Sequence, residues 1–366
     1  MRVISVVGTR PNVVKIAPVA KLLRGTPGVD HLLVHTGQHY DAEMSDSIFE
    51  DLELSQAEIN LEVGSGTHAE QMATVLVRFE QVLRQTKPDW VIVAGDGNST
   101  LGCALAAAQA EVRVAHVEAG LRSFDWRMPE EVNRVLTDRI AALLFTHCED
   151  ADQNLAREGI PSDRIRQVGN VMIDSLIEAL RRSGRAGVVE GLGFRPGGYA
   201  LLTLHRPENV DDLPTLLRIL EAVRELATQL PVIFPMHPRT ACRLDSVPAS
   251  EASRIWRGIH RTRPLGYRDF LKAVQEAALV VTDSGGVQEE TTYLGVPCVT
   301  VRENTERPIT VRLGTNVVAG TSLEGIRQAC RQAREARGRS REIPALWDGK
   351  TAPRIVEHLL RAGDRA

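Results

Sequence analysis

The chain reads as an α/β protein built from two open parallel sheets, each in its own domain, and three observations lead there. Short, continuously apolar runs alternate with longer amphipathic segments along all 366 residues, the order that builds parallel sheets covered by helices. That length exceeds the size at which one core usually stops growing. A stretch with six glycines between 184 and 198 separates two such series.

Residues 3–7, 31–36, 90–94, 112–117 and 143–146 read as buried parallel strands because they are apolar throughout rather than alternating. Helical patterns cover 13–23, 69–85, 99–110 and 129–142, and another around 172–182 leads into the glycine-rich stretch. The second series has strands at 199–203, 231–235, 279–282 and 297–301. Residues 327–341, rich in Arg and Ala, read as a solvated helix and turn. The segment 355–360 reads as a last helix that packs back on the first domain. The expected domains are therefore 1–170 completed by 353–366, and 171–352. Ligands of such sheets bind at the carboxyl ends of the strands, here in a central cleft that the two sheets face.

Hydrophobic residues at 43% and charged residues at 25% fit an ordinary globular protein. A formal charge of -3 and a pI near 6.4 give no general attraction for nucleic acid or an anionic membrane. Any anion must be bound locally. The five cysteines are far apart and never form C-x-x-C, so neither a disulfide framework nor a thiolate metal site is expected. The apolar start turns polar at Gly8, too early for a secretory signal, and no apolar stretch approaches the roughly 18 residues that span a bilayer. The expectation is a soluble cytoplasmic protein.

Its chemistry is concentrated where predicted strands end. Gly8-Thr9-Arg10-Pro11 follows the first strand, with Lys15 on the ensuing helix; Arg offers a planar fork for phosphate and Lys a point charge, although two solvated cations behind a capped helix fit as well. In Gly95-Asp96-Gly97-Asn98-Ser99-Thr100, Asp96 is a candidate for catalysis, while Asn98 and Ser99 are candidates for helix capping. His116-Val117-Glu118-Ala119-Gly120-Leu121-Arg122 places a carboxylate beside a cation, which is how a base is tuned. Pro129-Glu130-Glu131-Val132-Asn133-Arg134 holds two acids at a helix start, and one of them serves only that start.

In the second half, His205 and His237 each end a strand near an arginine. Asp283-Ser284-Gly285-Gly286 runs from a strand into a helix and presents N–H groups at a positive helix end, where phosphate binds. Glu289 and Glu290 follow on that helix, within reach of ribose hydroxyls, and Arg307 adds a cation. No G-x-G-x-x-G, P-loop, H-E-x-x-H, G-x-S-x-G or EF-hand loop occurs, and the acids and histidines are not clustered at metal-ligand spacing.

Taken in order, GTRP, TGQHYD, GD-x-x-ST, HVEAGLRS, PEE-x-NR, VGN-x-x-ID, HRPEN, DSGG-x-QEE, TERP and DGK-x-x-x-RI closely resemble the non-hydrolysing UDP-N-acetylglucosamine 2-epimerases of bacteria and archaea. Ten collinear motifs cover nearly the whole chain. The resemblance implies two Rossmann-like domains of the GT-B type, a homodimer, and UDP held mainly by the second domain. It puts the catalytic acids and bases on Asp96, Glu118, Glu130 and His205. Ser284, Gly285 and Gly286 match the diphosphate turn, Glu290 the ribose contact, Arg10, His237 and Arg307 further ligand contacts, and Phe270 the uracil region. Arg134, the last residue of PEE-x-NR, and Lys15, five residues past Arg10, are further expected substrate contacts.

The family's route eliminates UDP while a carboxylate removes the C2 proton, and the 2-acetamidoglucal then takes UDP back with a proton on the other face. It needs no NAD and no metal. Three positions depart from the family: Asn12 stands where Glu usually follows GTRP, Gly97 where Thr or Val is common, and the residues after Gln38-His39 differ from members that bind a second UDP-GlcNAc as activator. The HYD form is shared with relatives acting on modified sugars such as UDP-2,3-diacetamido-glucuronate.

Overall fold

The computed structural model describes residues 1–37, 42–182, 187–245, 247–248, 253–336, 338 and 342–363, and for 42–46 the backbone alone. The segment beginning Gln38-His39 and residues 183–186 of the glycine-rich stretch thus lie outside the described residues. The chain divides into two compact units, Met1–Glu178 with Ala345–Ala366, and Ala179–Pro344.

Unit 1 is built on β1 (Arg2–Val7), β2 (Asp30–His35), β3 (Ile59–Asn60), β4 (Trp90–Ala94), β5 (Arg113–Ala119), β6 (Leu143–Thr146) and β7 (Ile165–Gln167). They pair in parallel in the order β3-β2-β1-β4-β5-β6-β7. Unit 2 carries β8 (Ala200–Thr203), β9 (Val232–Pro235), β10 (Ile259–Thr262), β11 (Leu279–Thr282), β12 (Cys298–Thr300) and β13 (Asn316–Val318). These are also parallel, in the order β10-β9-β8-β11-β12-β13. Each sheet reverses its strand order once, between β1 and β4 and between β8 and β11. The two-sheet α/β fold class expected from sequence is the one found.

Both faces of each sheet are covered, which explains the unbroken apolar runs. In unit 2, Leu202, Phe234 and Val281 face the helices Leu213–Ala227 and Leu323–Glu335. Their neighbours Leu201, Ile233 and Val280 point the other way and pack with Ala273, Val274 and Val287. In unit 1, Ile4, Val6, Val91 and Val93 pack on Phe79 and the small residues Ala104 and Ala107. Four strands were not foreseen: β3, β7, β10 and β13. All four are sheet edges.

The helix Thr351–Gly363 packs against the helix Arg10–Arg24 within unit 1. Asp174 accepts the Thr351 and Ala352 N–H groups at 3.1 and 2.8 Å, and Trp347 Nε1 donates to the His147 carbonyl at 3.0 Å. Among the described residues no helix is long and apolar enough to cross a membrane.

Candidate active site

In unit 1 the ionisable residues collect at the carboxyl ends of β1, β4 and β5, beside the reversal of strand order. Connections leave to opposite faces there and open a crevice. Thr9 is the N-cap of the Arg10–Arg24 helix, so Arg10 and Pro11 form its first turn and Lys15 follows on its buried side. Lys15 is only 6% exposed, and its Nζ pairs with Glu118 Oε2. Sequence had Lys15 as a cation for phosphate and Arg122 as the cation near Glu118; in the structure the cation on Glu118 is Lys15.

Glu118 sits at a register shift in β5, between Val117 and Ala119, with φ of 69°. A non-glycine residue in the left-handed region costs about 1–3 kcal/mol, and such strain gathers at functional sites. The bulge re-aims the side chain. Gly95 directly follows β4 with φ of 70°, and a Cβ there would lie 3.0 Å from Lys15 Nζ and 3.4 Å from Glu118 Oε2. Glycine is what lets this turn approach the pair.

Asn12 bridges the same region. Its Oδ1 accepts from Thr9 N at 3.1 Å and Thr9 Oγ1 at 2.8 Å, while Nδ2 donates to the Ala94 carbonyl at 2.8 Å. An amide both accepts and donates, which a glutamate carboxylate does not, so position 12 has a structural role here. Gly97 is the N-cap of the helix Asn98–Gln109, a task that sequence had left to Asn98 or Ser99. Asn98 instead donates to Gln71 Oε1 at 2.9 Å and accepts from Asn133 Nδ2 at 3.2 Å. Asp96 Oδ2 lies 2.5 Å from Arg134 NH2, the guanidinium buried and the carboxylate partly open.

The adjacent glutamates at the start of the helix Pro129–Ile140 separate cleanly. Glu131 is buried and accepts from Ser123 N, Ser123 Oγ and Phe124 N, each at 2.9 Å. It holds the preceding loop. Glu130 remains half-buried.

In unit 2 the reversal between β8 and β11 brings His205 and the glycine turn together. Asp283, fully buried, accepts His205 N and Arg206 N at 2.9 Å each and Asn209 Nδ2 at 3.3 Å, and its Oδ1 lies 2.9 Å from His205 Nδ1. Burial raises the Asp283 carboxyl pKa, but the facing His205 and these N–H donors outweigh it and hold the value down to about 2. Asp283 is a site residue that sequence reasoning missed, having read it only as part of a phosphate turn; an acid and a histidine that both end strands were the available signal. The His237 ring lies 6.0 Å from that of His205, and its Nδ1 accepts from Arg239 N at 3.2 Å.

Ser284 is the N-cap of the helix Gly285–Leu294, and its side chain does not cap it. The first-turn N–H groups of Gly285, Gly286 and Val287 have no carbonyl partner inside a helix. A Cβ on Gly285 would lie 2.3 Å from Arg307 NH1. Arg307 is itself 2.5 Å from Glu306 Oε1 and 2.9 Å from Glu289 Oε1, and Glu306 also pairs with Arg302 at 2.8 Å and Arg206 at 3.4 Å. The guanidiniums of Arg206, Arg302 and Arg307 thus interlock with the carboxylates of Glu289 and Glu306 beside the turn. Arg206 and Arg302 were not singled out from sequence. Glu290 is buried and accepts from Tyr267 Oη at 3.4 Å, while Phe270 lies half-buried against the cluster of Tyr199, Leu201 and Val274. Among the described residues no group of three or more His, Cys, Asp or Glu could hold a metal ion.

Two doubly wound α/β units, one with a glycine turn opening a helix and one with carboxylates at strand ends, form the kind of scaffold that nucleotide-sugar enzymes use. Residues 21–360 match the family model described as UDP-N-acetylglucosamine 2-epimerase, and the chain belongs to that family. It is 42% identical to a UDP-N-acetylglucosamine 2-epimerase of Methanocaldococcus jannaschii, over 98% of this chain and 99% of that one. It is 38% identical to a UDP-2,3-diacetamido-2,3-dideoxy-D-glucuronate 2-epimerase of Pseudomonas aeruginosa, over 99% and 100%. The crystal structure of the M. jannaschii UDP-GlcNAc 2-epimerase in complex with UDP-GlcNAc and UDP superposes with a TM-score of 0.93 at 41% identity, covering 99% of this chain and 100% of that one.

Proposed function

We propose that this protein interconverts UDP-N-acetylglucosamine and UDP-N-acetylmannosamine by inverting C2. The observation that carries the reading is its likeness, over nearly the full length, to an epimerase crystallised with UDP-GlcNAc and UDP. In this reading Ser284, Gly285 and Gly286, with the positive charge of Arg307 beside them, hold the diphosphate as the C1–O bond breaks. Glu290 takes ribose hydroxyls, Phe270 lies near the uracil, and Arg10 and His237 contact the ligand. Of the cations of unit 1, Lys15 serves through Glu118 and Arg134 through Asp96.

The C2 hydrogen of an N-acetylhexosamine has no carbonyl next to it, so simple proton exchange is very slow. Loss of UDP from C1 together with the C2 proton gives 2-acetamidoglucal, and re-addition with protonation on the other face completes inversion. Glu118, strained and charge-paired, is suited to take or return that proton; Asp96, Glu130 and His205 supply the remaining transfers. Incubation with UDP-GlcNAc in D2O, followed by proton NMR, tests this. Loss of the C2 proton signal and a new manno anomeric signal are expected; neither appearing would sink the reading.

A second substrate is favoured by the P. aeruginosa relative, whose identity is only slightly lower. A panel of UDP-GlcNAc against its 3-acetamido and 6-carboxylate derivatives ranks the two by kcat/KM. A cytoplasmic homodimer belongs to the same proposal, with sedimentation equilibrium as the check on the dimer.

A further inference from the structure

Beneath the strained Glu118 lies a fully buried pair that the chemistry above does not use. His116 and Asp138 are both 0% exposed. His116 Nδ1 lies 2.7 Å from Asp138 Oδ1, and its Nε2 lies 2.8 Å from the Gly95 carbonyl. Both ring nitrogens therefore face an oxygen, one on a side chain and one on the main chain. The other Asp138 oxygen accepts Gly120 N at 3.1 Å and pairs with Arg122 NH1 at 2.8 Å. Arg122 is anchored in turn by two contacts to Glu158, at 2.7 and 2.8 Å.

These contacts fall on both sides of Glu118 and on the near side of Asp96. His116 is two residues before Glu118 and Gly120 two residues after it, and Asp138 holds both ends of that segment. The left-handed backbone at Glu118 is therefore imposed from its flanks. Through His116 the same clamp grips the carbonyl of Gly95, the residue before Asp96. A buried, fully bonded network of this kind fixes one backbone arrangement, because breaking any link strands a polar group away from water. We infer that the His116–Asp138 pair is a positioning element that sets Glu118 and Asp96 in register with one another for proton transfer.

The inference rests on the epimerase reading of the site. Its test uses the full chain and the variants Asp138→Asn, His116→Gln and His116→Ala. A displacement of about 1 Å at a reacting group can lower rates about 100-fold. The expected result is a fall in kcat of about 10- to 100-fold for Asp138→Asn, with KM for UDP-GlcNAc and calorimetric affinity for UDP within about threefold of wild type. His116→Gln, which can still donate to the Gly95 carbonyl, should retain more activity than His116→Ala. Amide hydrogen exchange should rise at Asp96 and over 118–120 while the rest of unit 1 keeps its protection. Wild-type kcat in folded Asp138→Asn would overturn the inference. So would a fall in kcat matched by a uniform rise in exchange across unit 1, since that is loss of fold rather than of register. A wild-type protein inactive on UDP-GlcNAc would instead overturn the functional reading, and the local exchange pattern would still decide whether the clamp holds this segment.

Discussion

Asp283 Oδ1 lies 2.9 Å from His205 Nδ1, and the same carboxylate takes the main-chain N–H groups of His205 and Arg206. The histidine ring is thereby locked to the strand end with Nδ1 as the donor, leaving Nε2 as the nitrogen for proton exchange. Asp283→Asn preserves shape but offers an amide that can present N–H to Nδ1 and so favours the opposite tautomer. By analogy with buried aspartates that orient a catalytic histidine, kcat should fall roughly 10²- to 10⁴-fold. UDP affinity, measured by calorimetry, should stay within about threefold. A variant with unchanged kcat would remove His205 orientation from the mechanism.

The same carboxylate makes unit 2 sensitive to acid. Its pKa falls from 3.8 to about 2 on folding, as His205 and the N–H donors overcome burial. The folded chain thus binds this proton more weakly than the unfolded chain, and the stabilisation is complete above about pH 4. It disappears as pH drops through about 2, a loss on the order of 2 kcal/mol. Thermal unfolding followed from pH 5 to pH 2 should show the wild type losing more stability than Asp283→Asn over that window. Parallel curves would contradict the assignment.

The strands that sequence revealed are the inner ones. β4, β6 and β11 are apolar at nearly every position because helices cover both faces. The edge strands β3, β7 and β10 carry Asn60, Arg166, Gln167, His260 and Arg261, and β13 is only the three residues Asn316–Val318, so no long apolar run marked any of them. For the site, a motif tells which residue types end a strand but not which partner each one meets. Lys15 and Glu118 are 103 positions apart, and only the β1–β4–β5 pairing brings them together. Asp283 and His205 meet through the β8–β11 pairing in the same way. The contacts that orient the candidate catalytic groups are thus set by strand order, which local sequence does not encode.

The neighbouring glutamates of the helix Pro129–Ile140 should give opposite phenotypes. Glu131→Gln places an amide where three donors from Ser123 and Phe124 now point, so at least one buried donor loses its acceptor. That costs about 1–3 kcal/mol, seen as a lowered urea midpoint with residual activity. Glu130→Gln, on a half-buried side chain, should leave the unfolding free energy within about 0.5 kcal/mol of wild type while kcat falls at least about 100-fold. Activity lost in Glu131→Gln and kept in Glu130→Gln would reverse the assignment.

The Lys15–Glu118 pair supports the sharpest separation of stability from catalysis. Both side chains are 7% exposed, so removing one member leaves a buried charge without its partner. Lys15→Met alone should destabilise the protein by about 3–5 kcal/mol. Glu118→Gln alone leaves the ammonium uncompensated and should also destabilise it, while abolishing C2 proton exchange and keeping UDP binding. In the double variant no buried charge remains, and stability should recover well beyond the sum of the two losses, because contacting sites are not additive. Activity should not recover at all, since the carboxylate that exchanges the C2 proton is gone. Chemical denaturation and D2O exchange on the three variants measure the two quantities independently. A double variant as unstable as the summed singles would show that the pair does not interact, and any C2 exchange it retained would exclude Glu118 as the base.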